Sequence, residues 1–404
     1  MQQTAASPAQ TVSNVLPVDY PVARRWLWRA LTIMIVGAWA GATWDRIWHT
    51  TVPFDGFWSP PHVVIYVTVA GVSFLIMGMV FTDHIRHAFG RGFDVKILPF
   101  KVPGALVLLG GGLVALGFAG AILDNAWHTA FGLNETSWSF PHAMIGWSLL
   151  LVSFGFMACR LAIEHVKRTP WITKLLIGSI IGMMIMGQVT GPIGGNRTPE
   201  AVTFFFTYIP TLASQESSQH VYRIYETWNL NRTNPLLLIL APLGLGIVLG
   251  LLRKYDSRWW MTFLFASLIL VLDAGNRDWG DILAQLDPLL GREANWRALP
   301  VVIPTIIILV LTRLRVSEHA AYGIAGAVFA LHIYNIWSDP ESAAWLLAFV
   351  AIPAILIGRA AGERIYAIVA QPWSWKAVLP LMGSVVLFPL LTGIVDLALR
   401  LGTP

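Results

Sequence analysis

The chain has 404 residues, of which 56% are hydrophobic and only 12% charged, and a mean hydropathy of +0.63, which excludes an ordinary soluble globular protein. The formal net charge of +5 does not point to nucleic acid, because the basic residues fall in short clusters between apolar segments, as in the inner loops of membrane proteins. A single cysteine, Cys159, excludes an internal disulfide framework and any Cys-based zinc or iron–sulfur cage.

In chain order, residues 1–22 are polar and Pro/Ser/Thr/Gln-bearing and read as a disordered cytoplasmic tail with no cleavable signal peptide. Apolar stretches of spanning length come next at 26–44, 62–82, 103–124, 141–163, 172–191, 235–252, 259–273, 299–314, 320–336, 343–358 and 378–399. The fold expected is all-α: a polytopic membrane bundle of about eleven transmembrane helices. Residues 200–214, broken by Pro210, read as a re-entrant or interfacial piece. Arg24, Arg25 and Arg29, then Arg86, Arg91, Lys96 and Lys101, then Arg160, Lys167, Arg168 and Lys174 mark one face of the bundle. The positive-inside rule makes it cytoplasmic, together with the N-terminus. A bacterial-type inner membrane is the expected location. The connections 45–61 and 125–140 then face outward.

Those two outward connections carry the chemistry. Residues 44–62 read WDRIWHTTVPFDGFWSPPH, and residues 123–142 read LDNAWHTAFGLNETSWSFPH. Asp45 matches Asp124, Trp48 matches Trp127, His49 matches His128, Ser59 matches Ser139, Pro61 matches Pro141 and His62 matches His142. The pairing defines an internal repeat of two helical hairpins within residues 23–170, succeeded by an apolar region, 171–404, with no second copy. Asp-x-x-x-His places both side chains on one helical face. The prolines suit the first turn of the returning helix, which opens with the second His.

Each copy thereby brings a carboxylate and two imidazoles to one depth: Asp45, His49 and His62, then Asp124, His128 and His142. Imidazole suits copper, zinc and iron, and three ligands leave a coordination position open for reaction. Asp55 and Glu135 are candidates to orient a ligand N–H. Taken singly, any one of these histidines reads as an interfacial hydrogen-bonding residue, and the tryptophans read as an aromatic belt; the repeated spacing is the feature that favours a metal for the Asp and His residues.

The rest of the chain carries weaker signals. His332 and Asp339 flank Trp337, while Asp273, Arg277, Asp278 and Asp281 gather at another outer helix end. The connection 274–298, with Arg277, Arg292 and Arg297, reads as a salt-bridged cap. His84, His87, His165 and His319 read as solvated, and Gly110, Gly111 and Gly112 as a close helix contact.

The first copy, D-x-x-W-H and then F-D-G-F-W-S-P-P-H and Tyr66, resembles the C subunit of the copper-dependent membrane monooxygenases, the particulate methane and ammonia monooxygenases. In that family an Asp-x-x-x-His and a His thirteen residues on bind a metal within the membrane, the spacing of Asp45, His49 and His62. The family's later motif has Asn-x-x-x-His and a His fourteen residues on, the spacing of Asp124, His128 and His142, with Asp124 where the family has Asn. The resemblance covers about residues 26–165. It implies oxidation of a small, poorly reactive substrate by O2 at a membrane-embedded copper centre, with catalysis at Asp45, His49 and His62. Zinc or iron are alternative metals. It also implies partner subunits and a quinol electron donor.

Three other classes compete with that reading. A copper or zinc transporter would need further ligands down the bundle, and the first four spans offer none that are ionisable between the outer motifs and the inner loops. A structural subunit would use its Asp and His residues only as hydrogen-bonding groups. A haem protein could use the His pairs as axial ligands, but an Asp at a four-residue interval favours a non-haem ion.

Overall fold

The computed structural model describes residues 18–51, 56–94, 98–131, 140–164, 170–194, 237–269, 294–337 and 348–402. The tail up to residue 17, the segment 200–214, Asp55, Glu135, His165, the connection 274–292 and Asp339 lie outside the described residues, as do the side chains of His49, Arg297 and His332.

The described chain is overwhelmingly helical, and the described part of each apolar stretch read from the sequence lies in a helix but for single end residues such as Thr82, Pro103 and Leu314. The first runs from Tyr20 to Thr51 as α1 (Tyr20–Ile33), a π-helical turn (Met34–Ala38) and α2 (Trp39–Thr51). Asp19 caps it, its carboxylate accepting the Val22 N–H at 3.0 Å, which satisfies one of the orphan amides of a helix start. The returning helix α3 is Pro60–Phe81, with prolines in its first turn, where a missing N–H costs nothing. A short helix α4 (Asp83–Arg86) and an antiparallel strand pair, β1 (Gly92–Asp94) and β2 (Lys101–Pro103), link it to the next hairpin.

That second hairpin begins with α5 (Gly104–Phe118), a π-helical turn (Ala119–Leu123) and α6 (Asp124–Phe131), and it returns as α7 (Phe140–Glu164). Beyond it come α8 (Trp171–Gly194), α9 (Leu237–Tyr255), α10 (Trp259–Ile269), α11 (Ala294–Arg313), α12 (Glu318–Trp337), α13 (Ala348–Ala370) and α14 (Trp375–Gly402).

Three described helices are long and apolar enough to cross a bilayer: Pro60–Phe81, Gly104–Ala130 and Phe140–Glu164. A fourth is counted if Phe349–Ala370 and Trp375–Leu391, bent by 117° at their junction, form one broken span. Trp171–Met186, Trp259–Ile269 and Val302–Arg313 are apolar but shorter. The chain is therefore a helical membrane protein with three to four candidate spans among its described residues, a coarser statement than the eleven crossings expected.

Close packing rests on glycine, as membrane helices require when lipid is as apolar as the side chains. In the α5–α7 contact, a Cβ on Gly112 would lie 2.8 Å from the Val152 nitrogen, and one on Gly155 only 2.4 Å from the Leu109 Cα. Of the glycines expected to pack, Gly111 meets the Met382 side chain and Gly110 faces no neighbour within 4 Å. The tightest pair, α9 and α13, approaches along Gly246 and Gly250 on one helix and Gly358 and Gly362 on the other, each against partner backbone.

Helix α14 packs on α7, stacking Phe388 on Trp147 at 4.5 Å between ring centroids and placing Gly393 against Phe140. The C-terminal region is thus built directly onto the second hairpin.

The far ends of these helices are tied by charge. Arg160, 1% exposed, donates to the Tyr255 hydroxyl at 3.1 Å and to Glu164 at 2.9 Å. Lys174 and Arg258 both pair with Asp256. Arg253 and Arg359 converge on Glu318, and Arg359 also binds Glu363 one turn along α13. That last pair lies in the part of α13 that continues past the apolar stretch ending at 358 to Ala370. Arg86, expected in a solvated loop, is buried over the Phe100 ring, bonded to Asp83 and to the Val80 carbonyl. His84, His87 and His319 are exposed as expected.

Candidate metal centre

In the second hairpin all three side chains lie among the described residues. Asp124 opens α6 immediately after the π-helical turn Ala119–Leu123. Such a turn inserts one residue into the helical ladder and so re-aims the later side chains by about 100°. His128 lies one turn further on, and His142 sits in the first turn of α7, next to Pro141.

The three side chains meet across the hairpin. The Asp124 Oδ1 is 3.2 Å from the His142 Nε2 and 3.6 Å from the His128 Nε2. The two imidazoles stand edge to face at 5.4 Å between centroids. One potential ligand atom from each of the three lies within 4.8 Å of the others, and all three residues are half-buried. Two ligands each about 2.0–2.2 Å from a common ion can be no more than about 4.4 Å apart, and both Asp124 contacts already meet that limit. The three residues could therefore hold one metal ion, with the two imidazoles, whose ligand atoms lie within 4.8 Å, closing slightly on it.

In the first hairpin, the His62 Nε2 stands 2.9 Å from the Asp45 Oδ1, which joins the last turns of α2 to the first turn of α3. His49 comes one turn after Asp45 on α2. The other ring nitrogen of His62, Nδ1, is 3.0 Å from the Gly56 carbonyl. The Gly56 carbonyl and the Asp45 carboxylate both only accept, so the His62 ring lies between two acceptors and can meet each of them through an N–H.

The same Gly56 carbonyl accepts the Ser59 N–H at 2.9 Å, and the Gly56 N–H donates to the Ser59 hydroxyl at 2.8 Å. Phe57 and Trp58 pack on Tyr66, with ring centroids 5.0 Å and 6.5 Å away. Sequence reasoning assigned this turn no role; its signal was a serine at a helix N-cap with two prolines after it.

The structure thus brings together Asp124, His128 and His142 as one set and Asp45 with His62 as a pair. Of the aromatic residues paired by the repeat, Trp48 stacks edge-on against Trp44 at 6.5 Å, which suits a belt residue.

No family model matches the chain, and no match is found among curated proteins or among solved structures.

Proposed function

We propose that the chain is a membrane subunit that holds redox-active metal, copper in the first instance, at two Asp/His/His sites near one face of the bilayer. On this reading Asp45, His49 and His62 hold one ion, and Asp124, His128 and His142 the other. The single observation that carries the proposal is the convergence of Asp124, His128 and His142 from two helices, with ligand atoms within 4.8 Å of one another. Copper is favoured over zinc or iron by the motif intervals, which resemble those of the copper-dependent membrane monooxygenases.

Bound copper would supply one-electron chemistry toward O2 and a small, poorly reactive substrate. The protein's own part is to orient the ligands and to exclude water. Below His142, residues 143–158 of α7 carry no ionisable side chain, so no imidazole or carboxylate on this stretch competes with the site for zinc or divalent copper. The two hairpins are copies of one unit, and eleven helices cross an inner membrane with both sites toward its outer face. Partner subunits and a quinol donor would complete the electron supply.

Metal content of the purified full chain in lipid nanodiscs after copper loading tests the proposal. Two equivalents in the wild type, falling to one in His128→Ala and to one in His62→Ala, is the expected result. A well-folded wild type that retains no copper, zinc or iron would overturn it.

A further inference from the structure

We propose that α14 is the positioning element of the second site, with Gly393 as the positioning residue that lets this helix brace the turn of α7 carrying His142. That His142 is a metal ligand rests on the proposed function; that α14 braces its turn does not.

Helix α14 runs the length of the second hairpin. At the end away from the site, Gly104, which opens α5, seats against the Pro372 carbonyl just before α14, and Trp375 packs on Phe93 at 4.6 Å between ring centroids. From Trp375 to Gly393 the helix rises about 27 Å, close to the roughly 30 Å that α5 and α6 climb from Gly104 to Asp124. Gly393 therefore reaches the depth of Asp124, His128 and His142.

There α14 touches α7 on both sides of His142. Two residues before it, Phe140 opens α7, and a Cβ on Gly393 would stand 2.8 Å from the Phe140 Cβ and 3.4 Å from its Cα. Five residues after it, Trp147 stacks on Phe388 with ring centroids 4.5 Å apart and planes 9° from parallel. The turn that presents His142 is thus held from outside the hairpin at two points, one of them fitted only by glycine. Non-bonded carbons settle at about 3.5–4.0 Å, so a methyl at position 393 lacks roughly 1 Å of room. A ligand set must be held within about 0.5 Å of its working geometry. Added bulk therefore drives back α14, opening the Trp147 stack, or displaces the first turn of α7 together with His142.

The first hairpin is built differently. The position matching Trp147 is Val67, five residues after His62 and 66% exposed, so among the described residues the brace belongs to the second site. The C-terminal region then has a role in a site whose ligands all lie in the duplicated hairpins: it fixes one of them.

The test uses the full chain in nanodiscs with two readouts. The first needs no metal: amide hydrogen exchange of residues 143–148 in the metal-free protein, followed by mass spectrometry. The second is copper affinity of the second site by chelator competition in a His62→Ala background, with the first site read in a His128→Ala background. Gly393→Ala is expected to speed exchange at the start of α7 and to weaken copper at the second site about tenfold, as when support behind a ligand is lost, while the first site is unchanged. Adding Gly393→Ala to Phe140→Gly, which removes the Cβ it would strike, should change neither readout. Gly383→Ala, on the same helix with nothing within 4 Å, should also be silent. Phe388→Ala deletes the stack without adding an atom and should act in the same direction as Gly393→Ala. The proposal is overturned if Gly393→Ala and Phe388→Ala both leave the exchange unchanged, if copper at the second site keeps its affinity in both, or if the two sites weaken alike, which would mark a general loss of packing. If no protein in the series binds copper but the exchange responds and is relieved in the Phe140→Gly background, the brace stands and the metal reading alone fails.

Discussion

Asp124 faces two imidazoles across its hairpin, His142 at 3.2 Å and His128 at 3.6 Å. The carboxylate is therefore the hub of the second site. Replacing it with Asn keeps an oxygen donor of the same size and removes one negative charge, which is also the change that brings this position to the residue of the resembling family. Asp124→Asn is expected to weaken divalent copper at the second site at least tenfold, about 1.4 kcal/mol, while leaving the first site unchanged. Competition titration against a chelator, in a His62→Ala background, reads the difference directly.

The two sites should also be independent in occupancy. Each draws its ligands from its own hairpin, and no proposed ligand is shared by both. His142→Ala is therefore expected to lower copper by about one equivalent and leave the copper signal of the first site as it was. Electron paramagnetic resonance of the loaded protein separates the two; a loss of both signals in the single variant would mean one shared centre.

Most of the helical architecture was legible because a bilayer demands long apolar runs, and these stand out without any knowledge of contacts. The second Asp/His set was legible for a different reason: a four-residue interval puts Asp124 and His128 on one helical face, and a proline marks the start of the helix that brings back His142. The features that stayed hidden depend on partners distant in sequence. Arg160 reads as one more loop cation, yet it is buried against Tyr255, 95 residues away. Glu318 belongs to no motif, yet two arginines from other helices close on it. Nor could hydropathy foresee the π-helical turns, which leave composition unchanged while re-aiming Asp124.

The Arg160 cluster gives a stability prediction. A guanidinium buried at 1% exposure is tolerable only while Glu164 and Tyr255 satisfy it. Glu164→Ala strands that charge and is expected to cost about 3 kcal/mol, measured as a shift in unfolding midpoint in mixed detergent micelles. The double variant Arg160→Met, Glu164→Leu should lose much less, because no uncompensated charge remains. Equal losses in the two would show that the pair itself, rather than the stranded charge, carries the stability.

Close packing gives another. A Cβ at Gly155 would stand 2.4 Å from the Leu109 Cα and 2.5 Å from its nitrogen, and backbone cannot move aside as a flexible side chain can. Gly155→Ala must push α7 from α5, at a cost of about 1–3 kcal/mol. Gly110→Ala, on the same helix pair but with nothing within 4 Å, should be neutral or slightly stabilising, since alanine is the better helix former. Thermal stability of the two variants by fluorescence-detected size exclusion separates them; equal destabilisation would contradict the tight α5–α7 contact.

The connection between α9 and α10 supplies the pH dependence. Burial opposes ionisation of Asp256, but hydrogen bonds from Arg258 and from Lys174 outweigh it and hold the carboxyl down to about 2, against an ordinary value near 3.9. A depressed value means that the unfolded chain binds the proton more readily than the folded one. The stabilisation is therefore complete above about pH 4 and is lost as pH falls toward 2. Asp256→Asn removes it, and with it one anchor between α8 and the α9–α10 connection. The variant is expected to unfold earlier than wild type at neutral pH and to converge on it as the pH is lowered through that window. A gap between the two that stays constant down to pH 2 would mean that the carboxylate charge at Asp256 contributes nothing to holding these helices together.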